Sequence, residues 1–77
     1  MENKYIEIYE GNILNAYLLK CLLEKENIKI YRPEEIMNAF TMRSLGIANA
    51  GLYKVMVSPG DFDEALNITE AFKRTIE

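Results

Sequence analysis

Seventy-seven residues with a net charge of −3, no histidine and a single cysteine exclude a good deal. A chain of this length makes one domain with a thin core, Cys21 cannot form an internal disulfide, and the commonest general base and metal ligand is missing. The basic residues are scattered among acids rather than gathered into a patch, which argues against sequence-independent nucleic-acid binding, where concentrated Lys and Arg must displace counterions.

Lys4–Tyr9 alternates, with Ile6 and Ile8 on one face and Tyr5, Glu7 and Tyr9 on the other, and predicts a half-buried strand. Asn12–Asn27 predicts a helix. Leu14, Tyr17, Leu18, Cys21 and Leu22 have the i, i+3, i+4, i+7, i+8 spacing of a buried stripe, widened by Leu19 and Leu23, and leave Asn15, Lys20, Glu24 and Lys25 for solvent. Asn12 can cap its start by accepting a first-turn amide. Asn27 can end it, because Asn tolerates the left-handed conformation found there. Ile28–Arg32 alternates again as a second strand, which Pro33 closes and confines to an edge.

Glu34–Leu52 is ambiguous: Glu34-Glu35 after Pro33 resembles the acidic first turn of a short helix with Ile36, Met37 and Phe40 as its apolar side, and Gly46–Gly51 reads as a loop. Tyr53–Val57 is a third strand. Ser58-Pro59-Gly60-Asp61 opens a final helix, with Ser58 as cap and Pro59 at its first position. Phe62, Ala65, Leu66, Thr69, Phe72 and Ile76 share one face of that helix, with acids early and Lys73-Arg74 late to match its dipole.

Two strands joined by a helix are expected parallel with a right-handed crossover. A third strand inserted between them gives a single ferredoxin-like α+β domain over residues 1–77: βαββα, a three-stranded mixed sheet in order 2-3-1, two helices on one face, and an excursion at 33–52.

Two blocks carry a family resemblance. Ala16, Leu18-Leu19-Lys20, Leu22-Leu23-Glu24 and Asn27-Ile28 form the first, where the family often has Gly in the place of Asn27. Tyr53–Val57 running into Asp61 and Ala65 forms the second. On these, about half the chain, the sequence resembles the small bacterial family of prokaryotic signal-transducing proteins, a domain family of unknown function. The resemblance implies a ferredoxin-like fold similar in outline to the nitrogen-regulatory PII proteins, with Pro33–Leu52 in the place of their signalling loop. It brings no catalytic residues, and the nucleotide-binding residues of PII find no counterparts here.

Candidate chemistry is sparse. Cys21, on the stripe expected to be buried, reads as a core thiol rather than a nucleophile. Glu24, Glu26, Asp61, Asp63 and Glu64 read as solvated helix ends, without the calcium-loop pattern, and Gly46 and Gly51 lack the Lys-Ser or Lys-Thr of a phosphate loop. Neither a metal nor a cofactor is expected, and no enzyme activity.

What remains is surface. Strand parity gathers Tyr5, Tyr9, Tyr31 and Met56 on the sheet face away from the helices, with Glu7, Lys29 and Lys54 among them. That face reads first as a partner or self-association surface, next as a solvated face, and last as a base-stacking one, for which the RNA-binding consensus is missing. Met37, Phe40, Met42, Arg43, Leu45 and Ile47 make the 33–52 segment either a recognition loop or a lid on the core. Ser58 and Gly60, at a helix start, could meet an anion, although Asp61, Asp63 and Glu64 oppose it.

The opening MENKYIEIYEG lacks a basic-then-apolar leader and no run approaches roughly 18 apolar residues. The sequence therefore reads as a cytoplasmic regulatory or interaction module acting in signal transduction, homodimeric, with a protein partner and neither nucleic acid nor membrane. The alternative is a small-molecule sensor with ligand between subunits or under the 33–52 loop.

Overall fold

The computed structural model describes residues 4–47 and 51–76. Its elements are β1 (Ile6–Gly11), α1 (Ile13–Lys25), α2 (Pro33–Ser44), β2 (Tyr53–Val57), a short 3₁₀ turn (Pro59–Asp61) and α3 (Phe62–Ile76). Residues 48–50 of the expected loop lie outside the described residues.

The expected three-stranded sheet with two helices is overturned. A two-stranded antiparallel sheet of β1 and β2 carries three helices, and the described residues are about 61% helical. Residues 28–32, the expected second strand, make only one bridge, Ile30 to Val57, beside a hydrogen bond from the Tyr31 amide to the Met56 carbonyl at 2.9 Å. The reason is local. Asn27 (φ 64°) and Arg32 (φ 49°) both sit in the left-handed region, so the chain turns at each end and only four residues between them can run extended. Pro33, expected to close a strand, instead opens α2, where its missing amide costs nothing and its fixed φ suits a first helical turn.

The other ends follow their chemistry. Asn12 Oδ1 accepts the Asn15 amide at 2.9 Å and caps α1. At its far end Asn27 takes the left-handed turn that stops the helix, with its amide donating to Glu24 O and that of Ile28 to Leu23 O. Ser58, expected to cap the final helix, makes no side-chain cap, and Pro59 lies in the 3₁₀ turn, which the Asp61 amide closes by donating to Ser58 O; α3 begins with Asp63 and Glu64 in its first turn and ends with Lys73 and Arg74 in its last.

The core lies between the sheet and the helices. Ile8, Val55 and Val57 from the strands meet Ile13, Ala16, Leu19 and Leu23 of α1, Ala65 and Phe72 of α3, Ile36 of α2, and Ile28 and Ile30. Burying each of the large aliphatic side chains contributes about 1.5–3 kcal/mol. Thr69 is fully buried in α3, where its hydroxyl donates to Ala65 O at 2.8 Å and so leaves no polar group unpaired.

The register of β1 slips once. Glu7 pairs with Met56, but Tyr9 pairs with Val55, so Ile8 is an extra residue on its strand. Residues after a bulge change face, because side chains alternate with period 2. Tyr9 therefore turns inward with Val55 and meets Phe72 edge-on, ring centroids 5.7 Å apart. Its ring lies across Gly11, where a Cβ would come within 2.6 Å of the phenol oxygen.

Candidate functional site

The largest departure from expectation is the orientation of α1. Its inner face is Ile13, Ala16, Leu19, Lys20 and Leu23. The stripe expected to be buried faces out: Leu14, Leu18 and Leu22 are 38, 43 and 40% exposed, and Cys21, expected in the core, is exposed. Lys20, expected in solvent, is 5% exposed. Its ammonium reaches Glu24 Oε1 at 2.8 Å and lies 5.8 Å from the centre of the Tyr17 ring. The aliphatic stem can lie along apolar neighbours while the charge finds its partner at the rim.

The two faces were not distinguishable by polarity, since α1 is apolar nearly all round and such helices have more than one apolar surface to satisfy. Along its border runs Tyr17, stacked on Phe40 of α2 with centroids 3.9 Å apart and planes 5° from parallel. A hydrogen bond with Cys21 holds the Tyr17 phenol above its ordinary pKa.

The tyrosine face of the sheet is smaller than expected. Tyr5 and Tyr31 meet, with ring centroids at 4.6 Å, beside half-buried Met56, exposed Lys29 and the Glu7–Lys54 ion pair at 3.8 Å. Tyr9 does not belong to it; the bulge at Ile8 sends it to the core side. An unforeseen member is Arg32. Its Nε donates to the Tyr31 hydroxyl at 2.9 Å, its guanidinium lies 5.2 Å from that ring's centre, and Nη1 donates to Glu35 at 3.0 Å. The Glu35 and Tyr31 hydrogen bonds hold Arg32 above its ordinary pKa, in that order. Arg32, Glu35, Tyr31, Leu52, Lys54 and Met56 border a pocket of about 290 Å³. A wider hollow of about 530 Å³ runs along Glu24, Asn27–Ile30 and Pro33.

Segment 33–52 is a helix as far as Ser44. Ile36 is the one buried residue of that helix, with Ala39 and Phe40 packed against the core. Met37, Met42, Leu45 and Ile47 are exposed, as is Arg43, so among the described residues of the segment these large apolar side chains face solvent instead of closing the core. At the 3₁₀ turn, the Ser58 hydroxyl donates to Asp61 Oδ2 at 3.3 Å, which places a carboxylate where an anion would sit beside Ser58 and Gly60.

Among the described residues no cluster of three His, Cys, Asp or Glu side chains is placed to hold a metal, and no helix is long and apolar enough to cross a membrane. The chain is thus a small α+β domain whose conspicuous features are exposed apolar helix surfaces. No family model matches it, and neither a curated protein nor a solved structure does. The resemblance read from the two sequence blocks rests on those blocks alone.

Proposed function

We propose that this protein is a non-enzymatic regulatory or interaction module that recognises a protein partner through α2 and the residues after it. The observation that carries this reading is the exposure of Met37, Met42, Leu45 and Ile47 on a helix that gives only Ile36 fully to the core. Methionine is unbranched and adapts its shape to varied apolar partners, and a folded domain that leaves large apolar side chains in water has surface suited to covering. Arg43, in the last turn of α2, adds a positive charge beside them.

The test is differential capture. Wild type and a Met42→Glu/Leu45→Glu variant are immobilised and exposed to the same cell extract. Both substitutions are at exposed positions, so the variant keeps its circular dichroism and melting temperature. Proteins retained by the wild type and lost by the variant are the expected result; an identical set on both rejects this surface.

The pocket beside Tyr31, Arg32 and Lys54 favours a second reading, a small-molecule sensor. It joins cationic and aromatic groups next to the end of the 33–52 segment, at about the lower limit of ligand-site volume. A metabolite panel that raises the melting temperature of wild type but not of Lys54→Ala supports it.

A further inference from the structure

We infer that the outward face of α1 is the contact between two copies of this chain, paired antiparallel across Leu18. This does not depend on the exposed residues Met37, Met42, Leu45 and Ile47 of the proposed recognition surface.

Leu14, Leu18 and Leu22 recur every fourth residue and form one straight ridge on the solvent side of α1. The ridge is symmetric about Leu18. A two-fold contact requires the same patch on both partners, self-complementary about the axis, and turning this ridge over on itself sets Leu14 of each copy against Leu22 of the other. No other partner is specified by charge, because none of the three ridge positions is charged. The nearest charges on this face, Lys25 and exposed Glu26, are of opposite sign and lie together at its C-terminal end, so the direction follows from the helix dipoles, which an antiparallel pair opposes.

Area sets the strength. A 13-residue helix is about 20 Å long. With Tyr17, Phe40 and Cys21 bordering the ridge, two such faces cover on the order of 1,000 Å² in total, just below the range of standard interfaces. The contact is enough for a dimer that forms at high protein concentration and dissociates on dilution. The sheet face is the poorer candidate, since Tyr31 already engages Tyr5 and Arg32 and Tyr9 is turned away.

Sedimentation equilibrium from roughly 10 µM to 1 mM, the range in which contacts worth about 4–7 kcal/mol dissociate, provides the test on wild type, Leu18→Glu and Tyr31→Glu. The expected result is a wild-type mass rising from 8.9 kDa towards twice that value, at least tenfold weaker association in Leu18→Glu, and no change in Tyr31→Glu. If Leu18→Glu loses its circular dichroism, Leu22→Gln, which adds no charge, takes its place with the same expected loss. A wild type that stays at 8.9 kDa throughout, or a dimer split by Tyr31→Glu and untouched at Leu18, overturns the inference. Direction is read from Cys21. With Leu18 on the axis, the two Cys21 Cα atoms lie about 9 Å apart along the helices, beyond the roughly 7 Å that a disulfide spans. Mild oxidation of the dimer therefore leaves the copies unlinked, and rapid complete linking overturns the antiparallel register. Failure of partner capture by α2 leaves all these masses unchanged, so the two proposals fail separately.

Discussion

α1 and α3 are similar in length and both pack on the sheet, α1 on β2 and α3 on β1, yet they meet solvent in opposite ways. α3 buries Ala65, Thr69 and Phe72 and turns Asp63, Glu64, Asn67, Glu70 and Arg74 outward. α1 buries Ile13, Ala16, Leu19, Lys20 and Leu23 and turns Leu14, Leu18, Cys21 and Leu22 outward. In α3 the hydrophobic effect has one solution, because only one stripe gains by leaving water. In α1 either of two stripes would gain, and the choice falls to shape: small Ala16 allows close approach to the sheet, flanked by Leu19 and Leu23, while the outer stripe is left available. A helix of the first kind completes a fold. A helix of the second kind completes a fold and still has surface to offer.

Truncation is the strongest way to break this comparison. Leu19→Ala and Phe72→Ala should each destabilise the protein by about 3 kcal/mol or more, since both side chains are in the core, while Leu18→Ala in dilute protein should cost under about 0.5 kcal/mol. Urea denaturation measures all three, and a Leu18→Ala cost equal to that of Leu19→Ala would mean that the two faces of α1 are exchanged. Next in size is the ion pair on the inner face. Glu24→Gln leaves the Lys20 ammonium in its enclosed site without its partner carboxylate and should cost about 1 kcal/mol, whereas Lys20→Met, which removes charge and keeps length, should be neutral or stabilising. If Glu24→Gln proves silent in the same assay, Lys20 reaches water and belongs to the outer face after all.

The smallest effect sharpens the border between the faces. The Cys21 hydrogen bond, followed by the charge of Cys21, raises Tyr17 above its ordinary value of 10.0. A raised folded-state value means that the stabilisation is whole below pH 10.0 and is lost as pH climbs through the higher folded-state value. One tyrosine should therefore titrate late in an alkaline absorbance titration, and Cys21→Ala should bring it back towards its ordinary range. An unchanged curve in that variant would separate Tyr17 from the thiol.

Much of the local structure was legible from residue chemistry. The alternation of Tyr53–Val57 and the single stripe of α3 gave their elements and faces, and Asn12 and Asn27 mark the ends of α1 by capping and by left-handed tolerance. The sheet was misread because its shape depends on two backbone events with little side-chain signature. One is the left-handed turn at Arg32, a residue not known for that conformation, which together with Asn27 cuts the second strand to one bridge. The other is the extra residue at Ile8. Both sides of a one-residue slip look alike in a strand whose alternate positions are Ile and Tyr, so Tyr9 could not be assigned to a face by parity. Of the apolar surfaces, the 33–52 residues read from the sequence as either a recognition loop or a lid on the core, and Leu14, Leu18 and Leu22 read as core.

The slip in β1 has one more consequence. Among the described residues that strand pairs only with β2, which leaves a flank of backbone donors and acceptors of the kind onto which another extended chain can add, and then another. Fibre growth needs an unbroken run of about six residues in step, and a strand of six residues with a kink at its third does not provide one. Pairing through side chains on a helix, as inferred for α1, is by contrast a contact in which one copy saturates the other and assembly stops at a finite number instead of running on.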